Sequence, residues 1–511
     1  MMKLLVRIVL LLTVVSLGSV AFLVSSHYLG SSKPSVDYLA MINRPALQAK
    51  DHEKGWSIYR DLRIKYSRKN NGWDSDIIRL PDEDGKRLGR LASPDDGEFW
   101  EEAIAAFAEV EDLLEGLRVA GVRPSYGLPL YVDLSQYEVS DLQAIYPDRD
   151  YKLVLAENQK RKERWEELRV ISAVSTALQI TSHIRDATRL LHFDTRWAIE
   201  QGDAERATRN IEAVLGMSMQ MTETKFFSTT LSAFAVHTIG LYVIDECLHS
   251  EVNFSDQQLE RIHTAVKKSR IEDMVDVSTE KLMFLDFVQQ FYTDDGKGDG
   301  RITAEGLEHW SGLSSMLFAP TRKQLTVKAN DLYDRLNRVL KDFAGEQPSV
   351  TLEDLEEIVA ESADFPPLHF DLESYLNTYH AIIRTRVNAH GVDVALGVLR
   401  FERKHGRMPG NLNELIGEFL TQIPHDPIDG QPLRYLRRHD GFLIYSVGSN
   451  RADDGGQPLL IRTDGSVVHD PKSEEEPEKH LHMNPYGYNT DTEKPCDWIL
   501  WPRCVYEYVV E

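Results

Sequence analysis

An apolar run near the N-terminus restricts the architecture of this chain more than any other feature. The run extends from Ile8 to Val24 and follows two basic residues, Lys3 and Arg7. It is slightly shorter than the roughly 20 apolar residues that cross a bilayer core as a helix. Basic residues tend to remain on the cytoplasmic side, and only Lys33 follows the run closely. We therefore expect a single-pass signal-anchor over residues 1–30 in the inner (cytoplasmic) membrane, with most of the chain on the exported, periplasmic side.

A cleaved signal peptide is the alternative for the same segment. Ser19-Val20-Ala21 provides small residues at the spacing that a signal peptidase needs for cleavage before Phe22. The apolar run nevertheless continues through Phe22-Leu23-Val24, which favours a retained anchor. Both alternatives predict an exported protein.

The composition is that of a folded and strongly acidic protein. Hydrophobic residues make up 42% of the 511 positions and charged residues 27%, which excludes global disorder. The formal net charge is −23, and such a surface repels phosphate backbones. The one short basic run, Lys160 to Lys162, is followed at once by Glu163. We therefore expect no nucleic-acid partner.

Apolar residues at helical spacing dominate the chain up to residue 405. We expect a juxtamembrane helical region with linkers over 31–150, including one helix from Glu98 to Ala120, and a helical domain over 151–390. A helical hairpin is predicted from Ala187 to Met219, with Gly202-Asp203 at the turn. Helical-hairpin repeats are one option, but no second copy recurs at a fixed period. Further helices are predicted over Ala319–Phe343, Thr351–Ser362 and Leu372–His405.

After residue 406 turn residues become frequent and strand patterns appear. Pro432–Leu436 and Phe442–Val447 flank a short turn and predict a β-hairpin. A third strand is predicted over Pro458–Arg462, with Val467-Val468 able to pair across the next turn. The predicted fold class is thus mostly α, with a small C-terminal α+β module at 391–470 and an acidic linker and tail at 471–511.

The tail contains Cys496 and Cys504, which lie on either side of two tryptophans. They are close enough in sequence to form a disulfide in an oxidising compartment. Cys247 lies in a helical pattern and is expected to be a buried apolar residue.

The segment from 294 to 305 resembles an EF-hand calcium loop. Asp295 would be the first ligand, Asp299 the fifth position and Gly300 the glycine of the sharp turn. Lys297 occupies the third position, and Glu305 lies one place before the position of the bidentate carboxylate. We therefore weigh a weak calcium site at Asp295, Asp299 and Glu305 against a solvated acidic turn.

A second group of oxygen-bearing side chains follows the predicted hairpin, between residues 448 and 456. Asn450, Asp453 and Asp454 lie close together on a glycine-rich loop and offer hard oxygen ligands for calcium. The alternative is an ordinary polar loop between strands.

A resemblance favours the calcium interpretation of this second loop. Residues 371–470 resemble the C-terminal module of the major pseudopilins of type II secretion systems in the order of their landmarks, which are Gly406, Pro409, Asp426-Pro427, Gly430, Tyr435, Tyr445-Ser446 and Gly448. In that family a long helix leads into a small sheet whose last loop binds calcium. The resemblance implies calcium ligands at Asn450, Asp453 and Asp454, although Asn450 stands where that family usually has Asp.

The N-terminal half departs from the pilin pattern. A prepilin-peptidase site consists of a Gly followed by an apolar residue, with a Glu five places further on, and it comes before the apolar helix. No such arrangement precedes Ile8. About 370 residues separate the anchor from the module, so a polymerising pilin is not expected. The layout as a whole resembles large exported protein families of planctomycete-type bacteria, and that resemblance implies no particular activity.

No familiar catalytic motif is present. The sequence contains no His-Glu-x-x-His zinc motif, no Gly-x-Ser-x-Gly elbow and no phosphate-binding Gly-Lys-Ser/Thr loop. We therefore expect a non-enzymatic assembly or interaction component of the envelope, with an envelope protein as partner. The alternative is an exported hydrolase, whose best candidates are His237 and His249 with Asp245 and Glu246 between them. A cleft that brings these side chains together would favour the hydrolase.

Overall fold

The computed structural model describes residues 32, 34–66, 91–165, 169–294, 296, 299–303, 320–345, 348–363, 365, 372–439, 441–448, 450–457, 460–462, 481–483 and 497–502. The N-terminal apolar run lies outside the described residues, as do Asp295, Glu305 and the pair Cys496 and Cys504. In the described part the predicted fold class is confirmed, because the chain is mostly α-helical with a small antiparallel sheet near its C-terminal end.

The first part of the helical region contains the helices α1 (Tyr38–Ile42), α2 (Arg44–Gln48), α3 (Trp56–Lys65), α4 (Glu98–Ala108), α5 (Glu111–Gly121), α6 (Val139–Ile145), α7 (Tyr151–Trp165) and α8 (Arg169–Glu200). The second part contains α9 (Ala204–Met221), α10 (Phe227–Leu248), α11 (Asp256–Lys268), α12 (Ile271–Met274), α13 (Ser278–Phe291), α14 (Arg322–Ala344), α15 (Leu352–Ala363) and α16 (Leu372–His405). Helices α14 and α15 begin and end within three residues of their predicted bounds, and α16 has the predicted bounds.

The predicted single helix over Glu98–Ala120 is two helices in the structure. Helices α4 and α5 meet at Val110, whose φ of −120° and ψ of 26° lie outside the helical region. Both helices contribute buried side chains to one core, and two of these, Trp100 and Phe107, pack against Phe193 of α8. Apolar spacing cannot reveal the break, because the apolar faces on both sides of it contact the same core.

The predicted helical hairpin is confirmed. Helices α8 and α9 are joined at Gly202, whose φ of +69° is one that glycine adopts without strain. Asp203 then caps α9, because its Oδ1 accepts a hydrogen bond from the Arg206 backbone N–H at 3.0 Å. The turn is therefore specified by two adjacent residues.

A buried carboxylate connects this hairpin to α5. Asp194 of α8 is fully buried and accepts hydrogen bonds from Arg118 at 2.6 Å, from Arg206 at 2.5 Å and from Asn210 at 2.7 Å. Arg118 is also almost completely buried. Both arginines also contact Glu111, which is half exposed, so Asp194 is the buried part of a small ion-pair network that joins the three helices.

Helix α10 meets the length and composition expected of a membrane span. It is the one helix in the described part of the chain that does, but 56% of its apolar window is buried inside the protein. Its side chains pack against α8 and α9, including Val243 and Ile244, which are completely buried. Its apolar composition is therefore accounted for by its place in the core.

The C-terminal module is built on α16. The predicted hairpin is confirmed as β1 (Arg434–Arg438) and β2 (Gly441–Ser446), which pair in antiparallel register with Tyr435 opposite Ile444. The predicted third strand appears as β3 (Leu460–Arg462), which pairs with β4 (Leu481–Met483). Val467-Val468, proposed above as its partner, lies outside the described residues.

A strand from the predicted tail completes the main sheet. Strand β5 (Trp498–Trp501) pairs with the free edge of β2, so the order is β1-β2-β5. Leu500 of β5 lies so close to Gly391 of α16 that a side chain at Gly391 would overlap it. The predicted domain boundary between 390 and 391 falls within α16 at this contact.

The landmarks that carry the pseudopilin resemblance have structural roles in this module. Asp426 is fully buried and accepts hydrogen bonds from Ser446 Oγ at 2.8 Å, from the Val447 backbone N–H at 2.9 Å and from Arg434 at 2.8 Å. Tyr435 donates a hydrogen bond to the Pro409 carbonyl oxygen at 3.0 Å. These bonds hold the hairpin against the turns that precede it.

Replacing Asp194 with Ala is expected to lower the free energy of unfolding by about 3 kcal/mol, because two guanidinium groups lose a fully buried carboxylate and keep only the half-exposed Glu111 in common. Urea unfolding followed by circular dichroism measures this loss. Glu101→Ala, on the exposed face of α4, is the matched control and should change stability by no more than about 0.5 kcal/mol. A loss for Asp194→Ala of about 1 kcal/mol or less, as for an exposed ion pair, would contradict the role assigned to Asp194.

Candidate functional site

The loop after β2 brings Asn450 and Asp454 into direct contact. The Asn450 Nδ2 donates a hydrogen bond to Asp454 Oδ2 at 2.8 Å, and Asn450 Oδ1 accepts one from the Ala452 backbone N–H at 3.0 Å. Both side chains are partly exposed. Two of the three predicted ligands in this loop therefore lie side by side, each with an oxygen near the surface.

Asp453, the third predicted ligand, faces the sheet. Its Oδ1 accepts hydrogen bonds from Tyr445 Oη and from the Gly455 backbone N–H, both at 3.0 Å. The other oxygen lies 3.9 Å from Arg434 Nε. About half of the Asp453 side chain remains exposed, so it is accessible while being held by the strand below it.

The loop is closed by Asp497, a residue that the sequence analysis did not select. Asp497 immediately precedes β5, and its backbone N–H donates to the Gln457 carbonyl oxygen at 3.0 Å. Its Oδ2 accepts a hydrogen bond from the Gly456 backbone N–H at 2.7 Å. Its Oδ1 makes no hydrogen bond with any residue that the structure describes, although the side chain is almost completely buried. Local sequence could not identify this residue, since 40 positions separate it from Gln457.

The Asp497 carboxyl group is unusually easy to protonate. Its pKa is raised to about 6, mainly by burial and in smaller part by the nearby carboxylates of Asp454 and Asp453, while hydrogen bonds from the Gly456 and Asp454 backbone oppose the rise. An ionised carboxylate at this position is therefore held in an unfavourable, electronegative environment. Either a proton or a bound cation would relieve that repulsion.

These oxygens are of the type that hard cations bind, but they do not surround a common point. Among the described residues, no group of three or more His, Cys, Asp or Glu side chains is placed to hold a metal ion. Calcium coordination at Asn450, Asp453, Asp454 and Asp497 would require their side chains to rotate from the hydrogen bonds they make here.

The EF-hand-like loop is closed by the backbone. Tyr292 and Ile302 form an antiparallel bridge, and the Thr293 N–H donates to the Arg301 carbonyl oxygen at 2.8 Å. The Ile302 side chain is fully buried, as expected for the apolar position of such a loop. Asp299 is exposed and Asp294 forms an ion pair with Arg322 at 3.1 Å, while the predicted ligands Asp295 and Glu305 lie outside the described residues.

The two histidines of the hydrolase alternative do not meet. They lie 12 residues apart on α10 and at its C-cap, a separation of about 18 Å along a helix axis. His237 is fully buried, its Nε2 lies 3.1 Å from Ser269 Oγ, and burial lowers its pKa to about 4. His249 lies against the Trp501 ring, with 4.7 Å between ring centroids.

The carboxylates near these histidines are also engaged in internal contacts. Glu246 lies 2.8 Å from His192 Nε2 and 2.6 Å from Arg196, and these two partners hold its pKa at about 2 despite burial. Asp245 is fully buried and lies 3.3 Å from His249. Burial opposes protonation of His249, but the hydrogen bond and charge of Asp245 raise its pKa above the usual value. Asp245 and His249 therefore form one contact, while His237 and Glu246 contact other residues.

Stability should depend on pH through Asp497. Its folded-state pKa of about 6 lies above the ordinary value of about 3.9, so the folded state binds the proton more tightly. The contribution of this group to stability is therefore present below about pH 4 and is lost as the pH rises through about 6.

Asp497→Asn, which resembles the protonated side chain, should melt at a higher temperature than the parent protein at pH 7.5 without calcium. The difference should disappear at pH 4.5, where the parent carboxyl group is itself protonated. Thermal unfolding across this pH range is the measurement. A variant that is less stable at every pH would contradict the raised pKa.

We compared the chain with protein-family models, with curated proteins and with solved structures, and none of them matches it.

Proposed function

We propose that this chain is an exported, membrane-anchored envelope protein that acts by binding other envelope proteins and carries out no catalysis. The observation that carries this proposal is the separation of His237, which is fully buried against Ser269, from His249, which is exposed and contacts Asp245. A general base must lie within hydrogen-bond reach of the group it serves, and the two histidines have no substrate position in common. The acidic net charge of −23 is compatible with a solvated binding surface.

The proposed anchor is the apolar run from Ile8 to Val24. The basic residues before it support an orientation in which the described body of the protein lies outside the cytoplasm. The full chain should remain in the membrane pellet after carbonate washing, whereas a variant lacking residues 1–30 should be released. N-terminal sequencing checks whether the run is retained. A soluble mature protein that begins at Phe22 would overturn the anchor.

The proposed ion-binding element is the loop of Asn450, Asp453 and Asp454, closed by Asp497. Its place after a strand that is supported by a long helix agrees with what the pseudopilin resemblance implies. Burial is the main cause of the raised pKa of Asp497, and repulsion from Asp454 and Asp453 adds to it; a calcium ion would neutralise that repulsion. The proposed role of calcium is to stabilise this loop and thereby the surface that the module presents to a partner.

Calcium should raise the melting temperature of the full chain at pH 7.5. Binding to the folded state alone contributes about 2.7 kcal/mol when calcium is in hundredfold excess over its dissociation constant. The shift should shrink at pH 5, where protonation of Asp497 competes with the ion. Differential scanning calorimetry with and without calcium measures both effects.

Two variants separate the candidate loops. Asp453→Asn combined with Asp454→Asn removes two charges from the C-terminal loop and should abolish the calcium-dependent shift. Asp299→Asn removes an exposed charge from the EF-hand-like loop and should leave the shift unchanged. An equal shift in the double variant, or loss of the shift in Asp299→Asn, would refute the assignment to the C-terminal loop.

A further inference from the structure

The segment that follows the proposed anchor is bound to the body of the protein. Ser32 forms an antiparallel bridge with Thr293, at the start of the EF-hand-like loop. The chain continues past the C-terminal end of α13 and enters α1, which packs against α13. The first described residues are therefore docked on the body at one defined place.

Gln289 of α13 holds this segment through its side-chain amide. Its Oε1 accepts hydrogen bonds from the backbone N–H groups of Ser35 at 3.2 Å and Val36 at 3.1 Å. Its Nε2 donates to the Val36 carbonyl oxygen at 2.8 Å and to Asp286 Oδ1 at 2.9 Å. Gln289 is only 4% exposed, so these bonds are shielded from competing water. We call these contacts the Gln289 clamp.

The clamp limits how far the body can lie from a membrane. Seven residues lie between Val24, at the end of the apolar run, and Ser32, and the eight Cα-to-Cα steps that join these two residues reach at most about 28 Å. The bridge at Thr293 must therefore lie within that distance of the end of the anchor. Helices α13 and α14 run antiparallel, so only one end of the pair lies beside the bridge. The distance limit applies to that end.

Contacts at both ends establish the direction of that pair. At the clamp end, the Arg322 backbone N–H donates to the Gly300 carbonyl oxygen at 2.9 Å. At the opposite end, Lys341 Nζ lies 3.0 Å from Asp276, just before α13 begins. Helix α14 thus starts beside the clamp and runs away from it for about 33 Å.

We infer that the clamp end of the body, formed by Ser32, residues 292–294 and 299–303 and the first turn of α14, faces a phospholipid bilayer surface. The inference rests on the proposed anchoring through residues 8–24. Only seven residues lie between the apolar run and Ser32, and their reach of at most about 28 Å is less than the length of α14, about 33 Å, so the body cannot turn this end away from the membrane as a protein on a long tether could. The opposite end of α14 then points away from the membrane.

A matched pair of labelling positions tests this orientation. Lys323 and Arg338 are both exposed cations on α14, about 22 Å apart along its axis. Each is replaced by Cys in a chain carrying Cys496→Ser and Cys504→Ser, and Cys247 remains because it is buried. The fluorescently labelled proteins are reconstituted into phosphatidylcholine vesicles that carry a nitroxide quencher on the lipid headgroup.

The Lys323→Cys label should lose roughly twofold more emission to the quencher than the Arg338→Cys label, since the 22 Å separation along α14 takes the second label away from the bilayer. Gln289→Ala should reduce the difference in quenching between the two labels, because loss of the clamp lengthens the segment that connects the body to the anchor. Gln257→Ala, at an exposed position, should preserve the difference. Equal quenching at the two labels, or stronger quenching at Arg338→Cys, would overturn the orientation.

Flotation of the same samples separates this inference from the function it rests on. A chain that does not float with vesicles refutes the anchoring and the orientation together. A chain that floats but shows equal quenching refutes the orientation alone. The two labels are compared in proteins that retain Gln289, so this comparison does not depend on whether Gln289→Ala folds.

Discussion

Helix α16 packs on two of its sides, and both the helical region and the C-terminal sheet are built against it. One side of this helix buries Val392 and Leu396 in a core shared with α9, α10 and α11. Another side buries Val394 and Val398 in a second core, which it shares with β2 and β5. Because α16 buries apolar side chains in both cores, the helical region and the C-terminal sheet both need this helix.

This shared helix explains why the candidate ion-binding loop has a defined shape. Strand β5 can approach α16 closely because residue 391 is a glycine, and β5 in turn positions Asp497 beneath the loop. Asp453 is held from the other side by Tyr445 of β2. The exposed loop is therefore supported by two strands and by the helix beneath them, which limits how far its carboxylates can separate.

Much of the fold was predictable from the sequence because helices and hairpins depend on neighbouring residues. The hairpin of β1 and β2 and the helical joint at Gly202-Asp203 follow from local turn chemistry and apolar periodicity. The break at Val110 was missed, since both helices contact one core and the spacing continues across it. Strand β5 was missed because it pairs with β2 more than 50 residues away, and a short apolar run does not indicate its partner.

The candidate site was likewise predictable from the sequence only in part. Asn450, Asp453 and Asp454 could be selected because they are close in sequence, but the contribution of Asp497 appears only when β5 is in place. The histidines of the hydrolase alternative show the converse, since His237 and His249 are close in sequence and yet belong to separate contacts. Proximity along a helix does not place side chains in one cleft, because 12 residues already separate them by about 18 Å.

We propose that the loop closed by Asp497 is the element of this protein that responds to calcium. Hydrogen–deuterium exchange of the full chain at pH 7.5, with and without calcium, tests this proposal directly because exchange reports local opening segment by segment. We expect slower exchange with calcium at 445–456 and 497–501 and unchanged exchange at 293–303. Unchanged exchange at 445–456, or protection that appears only at 293–303, would contradict it.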